Sequence, residues 1–385
     1  MRFISHLHFN NLDSSNQSKS AESSNSTKTI NIETIPYNNT AHIYDDTLYQ
    51  KYMYLNNIYT TDPLLSANPN RIIKILHPFE FIDSSITTEL IPNSPKLKIT
   101  NAFMKMYEFL LFINQHHPNL FNTSTLRLYD IAGAPGMFTI ATNHFINQHH
   151  PNVKLDWFAS SLEGGTALTD QYKLYSSNPT RYKPCDVLNQ TDINNIVNEH
   201  KIKFDLVVGD IGIYHDNDWE HLQEEIQTNI QWGQMTMCVN MCKQGGIAFL
   251  KMYSLVSYES VDLLKTFSEY FDNVYICKPY TSRLLNDESY IIGIGRNSKN
   301  GVELIKNKRK ELKIDKNDIN IDLIRSFEEA RLNTKYEMLM LVKYIFKDDV
   351  KCSSKLLFEN ELFVKYKDEM HELVELFKKM NDYVF

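Results

Sequence analysis

The sequence has no Cys-x-x-Cys pair: Cys185, Cys238, Cys242, Cys277 and Cys352 are scattered, and the one close pair lies on an apolar stretch read as helix. This argues against a thiolate zinc site. An odd thiol count, with no apolar leader in MRFISHLHFNN, predicts a reducing intracellular setting. No run is apolar enough to cross a bilayer, so a cytoplasmic protein with no membrane partner is expected. Positive charge is not in excess. The formal net charge of −7 excludes a chain that coats nucleic acid along its whole surface and leaves a local basic groove for any RNA. A nucleotide P-loop needs Gly-Lys-Ser/Thr and a dinucleotide turn needs Gly-x-Gly-x-x-Gly, and neither occurs.

What is present is a globular composition, 42% hydrophobic and 23% charged over 385 residues, enough for one large α/β domain with extensions. Residues 1–42 are rich in Ser, Asn and Thr and are expected to form a flexible tail. Residues 43–100 are aromatic and aliphatic, but Pro63, Pro69, Pro78, Pro92 and Pro95 interrupt any long helix, so an irregular extension packed on a core is expected. Tyr49, Tyr52, Tyr54 and Tyr59 fall there and suit either core packing or stacking on a methylated base. Residues 298–385 begin Lys-rich, with KNKRKELKIDKN at 306–317, and continue as amphipathic helices read mainly as solvated faces. A basic flank guiding RNA phosphates is the functional alternative.

Between these flanks, residues 101–297 alternate helices with short apolar strands, the pattern of a Rossmann-like, mostly parallel sheet with an antiparallel last strand. Strands are predicted at Leu126–Ile131, Lys154–Ser160, Phe204–Val208, Ile247–Lys251, Asn273–Lys278 and Glu288–Gly293. The segment FINQHHPN occurs twice, at Phe112–Asn119 and Phe145–Asn152, each time between a helix and a strand. It reads as a reused helix stop, with His at the negative helix end and Pro beyond it. A His-rich metal site is the sharper reading, but no carboxylate or thiol keeps spacing with it, and no metal is expected.

Strand Leu126–Ile131 runs into DIAGAPGMF, whose small residues form a tight strand-to-helix turn that lets a ligand approach the backbone. The strands that follow end on charges, Asp210 after Gly209 and Lys251 after Leu250, at the sheet edge where α/β proteins bind ligands. Glu288 begins the last hairpin strand, and Lys105 projects from the helix before the sheet. Each alone also fits an ordinary cap, edge or snorkelling charge; their joint placement points to chemistry.

Over about residues 101–297 these motifs resemble the FtsJ-like ribose 2′-O-methyltransferases, and within them the messenger-RNA cap branch of eukaryotes and large cytoplasmic DNA viruses. The resemblance implies a Lys-Asp-Lys-Glu tetrad at Lys105 in AFMKM, Asp210 in VVGD, Lys251 in GGIAFLKMY and Glu288 in KPYTSRLLNDESY. It implies S-adenosyl-L-methionine as cofactor, held by Asp130, Gly133, Ala134, Pro135, Gly136, Met137, Phe138, Asp186, Val187 and Asp210. Met137 stands where the family more often has a second glycine. Strand two ends in Ser160-Ser161 without the ribose-binding Asp, leaving Glu163 as a stand-in, and SSLEGG resembles the segment lining cofactor and RNA. Ser282 and Arg283 are implied contacts to RNA, Arg283 with hairpin bracing as its alternative.

The implied partner is capped mRNA, with other capping or transcription proteins beside it, and a viral replication site as a further setting. A ribosomal or transfer RNA methyltransferase, or an inactive fold serving as an RNA-binding subunit, are the competing readings. For catalysis, Lys251 is expected to take the hydroxyl proton or orient its oxygen. Desolvation and the nearby Lys105 cation are expected to bring its pKa down from about 10.4 toward a useful range.

Overall fold

The computed structural model describes residues 5–7, 45–66, 100–162, 173–212, 223–279, 281–283, 285–301 and 321–347. The expected tail beyond 5–7, Glu163 and the rest of its loop, the basic stretch 306–317 and the chain after 347 lie outside the described residues.

Apolar β-branched and aromatic runs form the middle of the sheet because helices cover both of its faces there. Strand β5 (Phe204–Gly209) is buried at every position, and β2 (Thr125–Ile131) over its last four. Eight strands pair in the order β1-β7-β8-β6-β5-β2-β3-β4. The others are β1 (Ser5–Leu7), β3 (Lys154–Ser161), β4 (Tyr182–Pro184), β6 (Cys242–Met252), β7 (Phe271–Cys277) and β8 (Ser289–Arg296). Strands β4, β3, β2, β5 and β6 run parallel, and β8 lies antiparallel between β6 and β7. This is the mostly parallel, Rossmann-like architecture with a reversed last strand.

Two strands escape the sequence pattern. β1 adds antiparallel to β7 at the edge, and β4 has only three residues, one of them proline. Neither is long enough to carry a period.

Strand β2 lies between β3, which follows it in the chain, and β5, which begins the other half of the sheet. Connections therefore diverge at the carboxyl ends of β2 and β5, the switch point at which open α/β sheets bind ligands.

Helix α3 (Asn101–His116), capped by Thr100, and helix α4 (Met137–His149) lie on one face. Helices α5 (Gln190–Glu199), α6 (Gln223–Met241) and α7 (Tyr258–Ser268) cover the other. Both copies of FINQHHPN end a helix: His117 and His150 are the caps, donating backbone N–H groups to Ile113 and Ile146 carbonyls.

Pro69, Pro78, Pro92 and Pro95 lie outside the described residues, and where the flanks are described they depart from the expectation in two places. Helix α1 (Asp46–Thr61) is regular, capped by Asp45 and complete before the first proline, Pro63, which opens the short helix α2 (Pro63–Ser66). Tyr49 and Tyr52 are buried and serve the core. Helix α8 (Ile321–Lys347) is not a solvated face: it buries Ile324, Phe327, Leu332, Met338 and Leu339, together with Glu328, Arg331 and Lys335. Among the described residues no helix is long and apolar enough to cross a membrane.

A glycine on α6 sets how closely the loop after β4 approaches. A Cβ at Gly233 would stand 2.0 Å from the Val187 carbonyl oxygen and 2.8 Å from its carbon, both backbone atoms. Gly233→Ala is expected to destabilise the protein by about 1–3 kcal/mol, read as a lower urea midpoint at unchanged slope.

Candidate active site

The turn after β2 is shaped by backbone bonds. The Gly133 N–H donates to the Ser160 carbonyl at 2.9 Å, and the Ala134 N–H to Ser161 Oγ at 3.0 Å. Pro135 follows a cis peptide bond, and Gly136, at φ 101°, is the N-cap of α4, which starts at Met137 and Phe138. A side chain at Gly136 would be strained by that φ and would meet Leu174 Cδ2 at 2.5 Å. Asp130, the last carboxylate of β2, is buried and accepts from Thr139 Oγ1 at 2.9 Å. Burial pushes its pKa up to about 7, against the Thr139 bonds and with help from Asp210.

Beside this turn, Cys185 N–H bonds the Ser161 carbonyl, bringing the loop after β4 alongside β3. Asp186 accepts from Leu188 N–H at 2.9 Å and shapes that loop, while Leu188 is exposed. Asp130, Gly133–Phe138, Asp186, Val187 and Asp210 thus all follow or end strands at the carboxyl edge.

At the same edge, four charges meet. Lys105 Nζ lies 2.6 Å from Glu288 Oε1. Lys251 Nζ lies 3.2 Å from Asp210 Oδ1 and 3.2 Å from Glu288 Oε2. Glu288 therefore receives one lysine on each oxygen, and Lys251 bridges two carboxylates. The formal charges cancel, which is what permits so many of them at low exposure.

The elements explain this convergence. Lys105 and Glu108 are three residues apart on α3, so both reach toward the β7–β8 connection. Glu108 accepts from the Thr281 N–H at 3.1 Å and from its hydroxyl at 3.0 Å. Strand register sets Lys251 opposite Tyr290, and the Tyr290 hydroxyl donates to Asp210 Oδ1 at 2.8 Å. Gln234, on α6, accepts from Ile211 N–H at 3.3 Å and donates to the Lys251 carbonyl at 3.1 Å. It joins the strand ends that carry Asp210 and Lys251. Gly209 makes room for it, since a Cβ there would stand 2.5 Å from Gln234 Oε1.

The electrostatics reverse one expectation. Burial is the largest influence on Lys251 and works against its charge, but Asp210 and Glu288 together outweigh it. Its pKa is held well above the ordinary lysine value, not below it, so the resting side chain is an ammonium. Glu288 shows the complement: burial would raise its pKa, but Lys105 and Lys251 hold it well below the usual carboxylate range.

Ser282 is fully buried and donates its hydroxyl to Glu288 Oε1 at 2.8 Å, so it braces the carboxylate where a contact to RNA was expected. Arg283, next to it, is exposed. Lys278 Nζ donates to the Glu288 carbonyl at 2.7 Å and to the Asn286 carbonyl at 3.0 Å, closing the connection from within.

Tyr290, Gln234, Glu108 and Lys278 are absent from the sequence-predicted site. Lys278 and Tyr290 did leave a signal, as the first and last residues of the motif KPYTSRLLNDESY. Among the described residues, no group of three or more His, Cys, Asp or Glu is placed to hold a metal ion.

The chain is similar in sequence to known methyltransferases. A family model described as FtsJ-like methyltransferase matches residues 99–296. A probable methyltransferase of African swine fever virus is 31% identical over 217 residues, covering 51% of this chain and 49% of the relative. A cap-specific mRNA (nucleoside-2′-O-)-methyltransferase 2 from Danio rerio is 26% identical over 225 residues, 54% of this chain and 30% of the relative. A cap-specific mRNA (nucleoside-2′-O-)-methyltransferase 1 from Trypanosoma brucei brucei is 27% identical over 180 residues, 44% and 47% respectively. The chain spans half or less of the length of these curated relatives.

The buried carboxylates predict acid sensitivity. Glu288 and its neighbour Asp287 both have folded pKa values below their ordinary 4.5 and 3.8. Their stabilisation is therefore fully present above those ordinary values and lost as pH falls toward the folded ones. Asp130, with its raised pKa, acts the other way as pH falls from about 7 to 3.8, so the urea midpoint is expected to drop below about pH 4, and Glu288→Gln to make that drop shallower.

Proposed function

Because the chain belongs to the FtsJ-like methyltransferase family, we propose that it transfers a methyl group from S-adenosyl-L-methionine to a ribose 2′-hydroxyl of RNA, at a nucleotide next to the mRNA cap. The observation that carries the reading is the Lys105-Glu288-Lys251-Asp210 cluster, held at the carboxyl edge of the sheet beside a glycine turn. The capped substrate is supported by the similarity to two cap-specific mRNA methyltransferases.

The residues fit the methyl donor. A Cβ at Gly133 would fall 2.7 Å from the Asp130 carboxyl carbon, and one at Gly136 against Leu174, so the turn keeps a cradle that side chains would fill. Gly133 to Phe138 would hold the methionine part, with Asp130 beneath them. Asp186 and Val187 would hold the base. When bound, the cofactor supplies an electrophilic methyl group on a positively charged sulfur.

Lys251 is the group placed to handle the hydroxyl proton. As an ammonium between two carboxylates it must first release its own proton to solvent. Its neutral Nζ would then accept the 2′-hydroxyl proton, freeing the ribose oxygen to take the methyl group that the sulfonium gives up as a neutral thioether. Asp210 and Glu288 keep Nζ at a fixed point and stabilise the ammonium that results, and Lys105 occupies the other oxygen of Glu288. Ser282 and Lys278 keep Glu288 from turning away. Holding both reactants in line lowers the barrier further, by up to several kcal/mol.

A raised resting pKa gives a pH signature. The neutral amine is the minor form at neutrality and grows tenfold per pH unit, so turnover with capped RNA is expected to climb from pH 6.5 to 9 without a plateau. A flat profile would show that Lys251 only orients the hydroxyl.

Lys251→Ala is expected to lower methyl transfer from labelled cofactor by at least about 100-fold, while calorimetric cofactor affinity changes little. Retained turnover in that variant overturns the assignment, and equal transfer to uncapped transcripts overturns the cap substrate.

A further inference from the structure

Behind the site lies a second group of buried charges, built by helices on either side of the matched segment. Arg331, on α8, is 1% exposed, and Glu328, three residues before it, is fully buried. The Arg331 guanidinium donates through Nε and Nη2 to Glu328 Oε2, at 3.0 and 2.7 Å, and through Nη1 to Asp287 Oδ1 at 2.6 Å. Lys335 Nζ adds a bond to the same Asp287 oxygen at 3.1 Å and one to Asn56 Oδ1 at 2.8 Å. Tyr52, on α1, donates to Asp287 Oδ2 at 2.8 Å. Two cations thus face two carboxylates, again without net charge.

The two carboxylates held by this guanidinium each touch one of the chain segments that form the site. Glu328 Oε1 accepts the N–H of Leu255 at 3.2 Å, four residues after Lys251. Asp287 is joined to Glu288 by one peptide bond. A single rigid fork therefore ties the segment leaving Lys251 to the segment entering Glu288, whose own side chains lie 3.2 Å apart. A planar guanidinium suits this because its donors point in fixed directions, which a lysine ammonium cannot reproduce. Apolar side chains of similar volume would fill the same space with less desolvation, so the charges serve placement better than they serve stability.

We propose that Arg331, outside the residues matched by the family model, is a positioning residue for methyl transfer, setting the Lys251–Glu288 geometry by holding Glu328 and Asp287 at once. The inference rests on the reading that Lys251 and its partners carry the transfer. Helices α1 and α8 then act on the chemistry through Asp287 and Glu328.

The test uses the full chain with Arg331→Met, Arg331→Lys and Asp287→Asn, and Lys251→Ala alongside. Methyl transfer to capped RNA is measured well below the unfolding temperature. In Arg331→Met, kcat is expected to fall about 10- to 100-fold, with KM for RNA and cofactor affinity nearly unchanged. Arg331→Lys keeps the charge without the fork and is expected to recover only part of the loss.

A lower melting temperature with kcat unchanged would leave Arg331 a purely structural residue and overturn the proposal. Should Arg331→Met fail to fold, Asp287→Asn and Arg331→Lys are judged by the same split. Hydrogen exchange over residues 252–256 and 286–290 reads the link without turnover: faster exchange in the variants supports it, and unchanged exchange overturns it. Full turnover in Lys251→Ala would refute the reading of the site itself, whereas an inactive Lys251→Ala beside an unimpaired Arg331→Met refutes this inference alone.

Discussion

Four charges drawn out of water must each find a partner, and the arrangement of this protein follows from that constraint. Lys105, Asp210, Lys251 and Glu288 come from a helix, two parallel strand ends and the start of a reversed strand. The docking of these elements pairs all four. Displacing any one leaves a buried charge uncompensated, at a cost of about 3–5 kcal/mol. The cluster thereby reports on the packing of α3 against the sheet, on the β5–β6 register and on the insertion of β8 between β6 and β7.

The same constraint is met a second time by Asp287, Glu328, Arg331 and Lys335, and the two groups share a backbone at residues 287 and 288. Neutral partners fill the remaining directions: Tyr52 and Asn56 behind, Ser282 and Tyr290 in front. Between them the β7–β8 connection is held on several sides, by Glu108 at Thr281, by Lys278 at Asn286 and Glu288, and by Arg331 at Asp287. These ties fix the described residues on either side of Glu288, which suits a site whose chemistry depends on the position of one amine.

Much of the fold was legible because buried parallel strands leave continuous apolar runs and amphipathic helices leave a 3.6-residue period. Strands from β2 to β8 were visible on those grounds, except β4, and the repeated FINQHHPN marked two helix ends. Helix α1 was missed because the prolines of its region were weighed together, although all of them follow Thr61. Helix α8 was visible as a helix, but its buried stripe includes Glu328, Arg331 and Lys335, which a hydropathy pattern assigns to solvent. Ser282 belonged to a recognisable motif, and its hydroxyl proved to face Glu288.

By itself the sequence determined which residue types were available and where local geometry would put them: a glycine turn after a strand, charges at strand ends, a glutamate entering the last strand. Those depend on neighbours along the chain, where period and sterics act. The tertiary structure alone decided the state of Lys251, because burial and two carboxylates act on it in opposite directions and the outcome depends on distances through space. It alone also joined Arg331 to Asp287, residues 44 positions apart. Coulombic pairing and desolvation fall with separation in three dimensions, and no spacing along the chain records that separation.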